Sequence, residues 1–222
     1  MPTSYNQIAG KSIERIAALS DGLFAIAMTL LILELRPPTA DAIRSEVELW
    51  HALVALSAQL IMYLIGFLTL GIFWIGQQSQ LSQFAHADRN LTWIHIGFLA
   101  AVALMPLSTA LLAHFITYRV ALFVYWLNML LLGIGLYGSW AYASCAGLLK
   151  SDVSAEISRI TKTRILMFQA LYIACVLLSV INTYWSIASL LLLQLHSALS
   201  SVIYRLLPIR RQYVGDREHS AK

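Results

Sequence analysis

RIAALSDGLFAIAMTLLILEL, residues 15–35, is the stretch whose reading decides the fold. Its start is polar, with Arg15, Ser20 and Asp21 close together. A long apolar run follows, broken only by Thr29. The run matches the roughly 20 residues that a helix needs to cross a bilayer. Pro37-Pro38 ends it, because proline disfavours helical geometry in the residue before it. The helix outruns a signal-peptide core. Glu34, Arg36 and two prolines follow where a small-residue cleavage site would be needed. It is therefore expected to be retained as a first membrane helix.

The rest of the chain has the same character. Of 222 residues, 59% are hydrophobic and only 12% charged. Charges that scarce cannot coat a soluble globule of this size. The class is all-α, an integral membrane bundle in a single domain over residues 1–222. Six spans are expected, at about residues 12–35, 49–77, 88–114, 120–149, 165–181 and 184–207. Pro106 is expected to kink the third. The stretch KSDVSAEISRITKTR reads as the one sizeable polar loop, and Asn182-Thr183 as a tight turn.

Orientation follows from the basic residues. With six spans and a cytoplasmic N-terminus, twelve of the 15 Lys and Arg fall inside. Only Arg36, Arg44 and Arg119 fall outside. The net charge of +4 thus reads as basic cytoplasmic loops, with no nucleic-acid partner. Both termini are expected in the cytoplasm. The tail YRLLPIRRQY has two readings, a contact with anionic lipid through its arginines or a solvated cytoplasmic tail that needs no function.

The first helix has two distinct sides. At about 100° per residue, Ile26, Leu30 and Leu33 fall within roughly 60° of one another. Asp21 lies about 140° from that line and Ser20 about 120° the other way. An i, i+4, i+7 apolar stripe is ordinarily packing or lipid contact, and the pattern alone leaves that reading open. Asp21 also has two readings. It is a carboxylate favoured by the helix dipole, or a buried anchor to neighbouring helices.

These residues resemble a known family. Arg15-x-x-x-Leu19-Ser20-Asp21-Gly22 is similar to the RxxxFSD signature of the lysosomal potassium channel family (transmembrane protein 175). The closer likeness is to its bacterial branch, with a single six-helix repeat. Trp74 and Gln77, then Asp88-Arg89, Leu91, Trp93, His95, Phe98-Leu99 and Leu104-Met105-Pro106-Leu107, continue the likeness to about residue 110. Three positions depart from the pattern: Leu19 for phenylalanine, Gln77 for histidine and His95 for asparagine.

The resemblance implies a potassium-permeable cation channel. It implies a symmetric homotetramer around a central pore lined by the first helix, with no carbonyl filter. Ile26, Leu30 and Leu33 would form the constriction, with the Thr29 hydroxyl helping to favour potassium. Arg15, Ser20, Asp21, Trp74, Gln77, Trp93 and His95 would form a structural polar network, His95 pairing with Asp21 or Gln77. The ligands would be potassium and other monovalent cations in transit, with no cofactor and no resident metal. The setting would be a bacterial inner (plasma) membrane.

Other functions fit less well. A small proton-coupled transporter would want broken helices and midplane carboxylates. Asp21 is near one end, and the first segment has no internal break. An enzyme needs a cluster of catalytic side chains, and none is visible. Cys145 and Cys175 form no CxxC pair. His95, His114 and His196 read as packing or interhelical hydrogen bonding. A non-conducting accessory subunit is the remaining alternative.

Overall fold

A computed structural model describes residues 12–206 except Ala40 and Ala42, with only the backbone from residue 200 onward. Lys11, the rest of the N-terminal segment and the basic tail after Pro208 lie outside the described residues. The helices are α1 (Ile13–Ile32), α2 (Glu46–Leu81), α3 (Arg89–Ala103), α4 (Met105–His114), α5 (Arg119–Cys145), α6 (Ala155–Leu177) and α7 (Thr183–Leu206). With α3 and α4 counted as one bent segment, the described residues are all-helical in six segments. The first five are long and apolar enough to cross a membrane. The sixth, α7, is 24 residues long.

Local chemistry sets the helix ends. Ser12, Ser45, Asp88 and Ser154 each accept a hydrogen bond from a backbone N–H of the first turn that follows. Such caps satisfy donors that have no partner inside the helix. Gly147, at φ +69°, ends α5. There Leu148 N donates to Ala143 O at 3.0 Å, closing the turn with a glycine that tolerates a left-handed backbone. The fourth span therefore stops at Cys145 rather than at 149.

Two further boundaries differ from those expected. The glutamine-rich run after Trp74 stays helical, and Gln77 and Gln80 are buried. At 36 residues α2 measures about 54 Å, longer than a bilayer core is thick. The stretch read as a polar loop is also helical, because α6 begins at Ala155 and not at 165. Ser154 caps it. Ile157, Ile160 and Ile165 give it an apolar side that the intervening charges hide.

The bend between α3 and α4 falls at Leu104, next to Pro106. Asn128 of α5 bridges it. With the amide turned so that donors and acceptors both match, Nδ2 donates to Ala101 O at 3.0 Å. Oδ1 then accepts from Ser108 Oγ at 3.0 Å and Met105 N at 3.2 Å. One side chain thus meets backbone groups on both sides of the bend, as a broken membrane helix requires.

Helix α1 packs against α2, α3 and α4, and α5 packs against α3, α4 and α6. Close approach of α1, α2 and α4 depends on Gly66. A Cβ there would stand 2.8 Å from Thr109 Oγ1 and 3.2 Å from Leu31 Cδ2. A buried knot fastens α7: Gln194 Nε2 donates to Thr69 Oγ1 at 2.6 Å, and Thr69 pairs with Tyr125 at 2.7 Å. Lipid tails are as apolar as leucine, so such packing and hydrogen bonding replace the hydrophobic drive between membrane helices.

Candidate functional site

The site is built on α1, whose two sides have separate tasks. Ile16, Ser20, Phe24, Ala27 and Leu31 are buried against the bundle. On the other side Ile26, Leu30 and Leu33 are left exposed, at 56%, 43% and 70%. From Ile26 to Leu33 the line climbs about 10 Å along the helix. Thr29, beside them, is exposed as well. Its hydroxyl donates to Ile26 O at 2.8 Å, within its own helix.

One turn of α2 fastens the polar end of α1. Trp74 Nε1 donates to Asp21 Oδ1 at 2.8 Å, and Gln78 Nε2 donates to the same oxygen. Gln77 Nε2 donates to Ser20 Oγ at 2.6 Å, while Ser20 Oγ donates to Ile16 O at 2.8 Å. Both bonds to Asp21 are charge-assisted and therefore the stronger kind. Ser20 and Gln77 are fully buried; Asp21 is at the rim.

The structure places the other expected network residues elsewhere. His95 is buried but pairs with neither Asp21 nor Gln77. Its Nδ1 lies 3.0 Å from Leu91 O, and its ring stands edge-on to Phe84. Its Nε2 has no partner among the described residues. Trp93 is exposed and makes no hydrogen bond among the described residues. Arg15 is exposed too; its backbone N–H donates to Ser12 Oγ, and its side chain makes no hydrogen bond among the described residues. By helical angle Arg15 lies about 20° from Ile26, so it belongs to the open side of α1 and not to its fastened side.

Sequence reasoning missed Gln78, the second donor to Asp21. The signal was available, since Gln78 follows Trp74 by four residues and shares its helix face. It also missed Asp88 as an anchor. Asp88 caps α3 through Leu91 N and accepts from the Tyr142 hydroxyl of α5. Among the described residues no group of three His, Cys, Asp or Glu side chains could hold a metal ion.

Fold and site define a multi-pass helical membrane protein whose first helix is anchored on one side and open on the other. The family model described as endosomal/lysosomal potassium channel TMEM175 matches residues 15–106, the stretch that contains both sides of α1 and its α2 anchors. A potassium channel of Streptomyces collinus is 36% identical over 155 residues, 68% of this chain and 74% of that protein. A potassium channel of Chamaesiphon minutus is 31% identical over 192 residues, 84% of this chain and 94% of that protein. The crystal structure of a lysosomal potassium-selective channel TMEM175 homologue from Chamaesiphon minutus superposes with a TM-score of 0.73. It shares 29% identity and covers 85% of this chain and 97% of that one. The chain belongs to the TMEM175 family and matches these two bacterial potassium channels over most of their length.

Proposed function

We propose that this protein is a potassium-permeable cation channel whose ions pass along the Ile26–Leu30–Leu33 side of α1. One observation carries the reading: the chain's own fold buries the opposite face of α1 and leaves this line bare. Exposure alone does not separate a pore from a lipid contact. Helix α5 leaves Phe123, Leu127, Leu131 and Ile134 similarly bare. The distinction is that the α1 line lies within residues 15–106, the stretch matched by the potassium-channel family model, and the α5 line lies outside it.

One helix face cannot enclose a path, so several copies must turn this side toward a common axis. Cyclic assembly repeats one side chain as a ring, and we infer a homotetramer. A ring of Ile26 would gate by dewetting. Ions crossing it keep much of their hydration, so selectivity is modest and leans on Thr29. The twelve-to-three distribution of basic residues favours a bacterial inner membrane with both termini cytoplasmic. The bent α3–α4 segment has no Asp or Glu, so it offers no carboxylate for proton coupling.

The test is a planar-bilayer recording of native protein and Ile26→Asn. Native protein is expected to pass K⁺ more readily than Na⁺. The variant is expected to conduct more and discriminate less. Unchanged conductance and selectivity would remove Ile26 from the path.

A further inference from the structure

Two short connections, α4 to α5 and α6 to α7, lie side by side at the end of the bundle opposite the Ser20–Asp21 fastening. Arg119 ties them together: its Nη2 donates to Val180 O at 3.0 Å. Between them is an open cavity of about 240 Å³, lined by Thr117 and Arg119 from the first connection and by Ser179, Asn182 and Thr183 from the second. No Asp or Glu lines it, and no carboxylate pairs with Arg119 among the described residues. Tyr118, Tyr184 and Trp185 are exposed around it. Aromatic rings at helix ends mark the membrane–water interface, which is the depth of lipid phosphates.

The polar groups of the lining have donors to spare. Ser179 and Thr183 are only 9% and 7% exposed, yet neither hydroxyl makes a hydrogen bond among the described residues. A buried hydroxyl without a partner is costly, so a pair of them on one cavity points to a ligand that accepts. Asn182 Oδ1 accepts from Tyr184 N at 2.8 Å, which fixes the amide and leaves its Nδ2 as a donor. The Arg119 guanidinium has further N–H groups beyond the one given to Val180. Helices α5 and α7 both begin here, and no side chain caps α5. Their first N–H groups add positive partial charge. The cavity thus combines one cation, several donors and two helix starts with no opposing carboxylate.

We propose that this cavity binds a phosphate group. The Arg119 fork takes oxygens on one side, as guanidinium does with phosphate. Thr183, Ser179 and the Asn182 amide donate from the other. A chloride is too small to reach both sides, and a carboxylate presents its oxygens along one edge only. At this depth the group comes from a phospholipid headgroup or from free phosphate. The proposal does not depend on ion conduction.

Two measurements on the full chain in non-ionic detergent test it and separate the sources. Native mass spectrometry compares dioleoylphosphatidylglycerol with dioleoylglycerol, which has the same chains and no phosphate. Thermal melts compare inorganic phosphate with chloride at equal ionic strength. A headgroup source is expected to give tighter binding of the phospholipid with equal melts in the two salts. A free-phosphate source is expected to raise the melting temperature in phosphate alone. Either response supports the site, and Arg119→Gln is expected to weaken it about fivefold, the factor one basic side chain supplies near an anionic group. Arg119→Lys keeps the charge and a donor for Val180 O, so it should retain most of the response. Thr183→Val removes a hydroxyl that bonds nothing within the protein, so the basal melting temperature should hold while the response falls about fivefold. A chain that binds both lipids equally and melts alike in both salts would overturn the proposal. So would a response that survives either Arg119→Gln or Thr183→Val.

Discussion

Ser20 and Asp21 are adjacent in sequence, yet the two should respond differently to mutation. Ser20 is buried and holds the amide of a fully buried Gln77. The Gln77 Oε1 already lacks a partner. Ser20→Ala would strand the remaining polar end, at a cost of about 1–3 kcal/mol. Asp21 is at the rim, where water can replace a lost partner. Asp21→Asn keeps an acceptor for Trp74 and Gln78 and should cost under about 1 kcal/mol, whereas Asp21→Ala loses both bonds and should cost about 1–2 kcal/mol. Thermal melts in detergent check the order: Ser20→Ala and Asp21→Ala below Asp21→Asn. An Asp21→Ala variant with native melting temperature and assembly yield would show that Asp21 is no anchor. The sequence made this much legible because the motif named Asp21 and the tryptophan was in register. It named Gln77, which bonds Ser20, but missed Gln78, because successive residues on a helix differ by about 100° and the partner of Ser20 and that of Asp21 are one residue apart. The expected pairing of His95 with Asp21 or Gln77 fails for a different reason. A buried histidine can satisfy itself on its own helix, here at Leu91 O, and no sequence pattern distinguishes that from an interhelical pair.

At the scale of elements, the bend at Leu104 depends on a residue from another helix. Pro106 was readable as a kink, but its support was not, because Asn128 is 22 positions away and gives no local signal. Asn128→Leu fits the volume but leaves Ala101 O and Met105 N without their partner. The expected loss is about 1–3 kcal/mol, visible as a lower melting temperature. Asn128→Asp keeps an acceptor for Met105 N and should lose more than Asn128→Gln only if the donor to Ala101 O matters, which tests the amide orientation as well. The start of α6 was hidden by composition. Arg159, Lys162 and Arg164 make the stretch look like a solvated loop, and the isoleucines on its other side become visible only at helical spacing. In contrast, α1 was legible almost to the residue, because its caps, its apolar length and the two prolines after it all agree.

For the whole molecule, the open question is what covers the bare side of α1. Two answers make opposite predictions for one double substitution, Ile26→Ser with Leu33→Ser. If the stripe is a dry seam between subunits, two hydroxyls per copy would weaken the packing that holds the oligomer, and native mass spectrometry would show monomer or dimer. If the stripe lines a pore, the side chains face an aqueous axis and contribute little to assembly. The oligomer mass should then stay that of the native protein. The fastening at Ser20 and Asp21, about 120° and 140° away around the helix, would be untouched. Replacing branched apolar rings by hydroxyls removes the dewetting barrier. Conductance in planar bilayers should rise several-fold while K⁺ over Na⁺ preference falls, because hydrated ions of either kind then pass. A preserved oligomer with increased current would place the ion path on this line; a dissociated protein would assign the same three residues to packing.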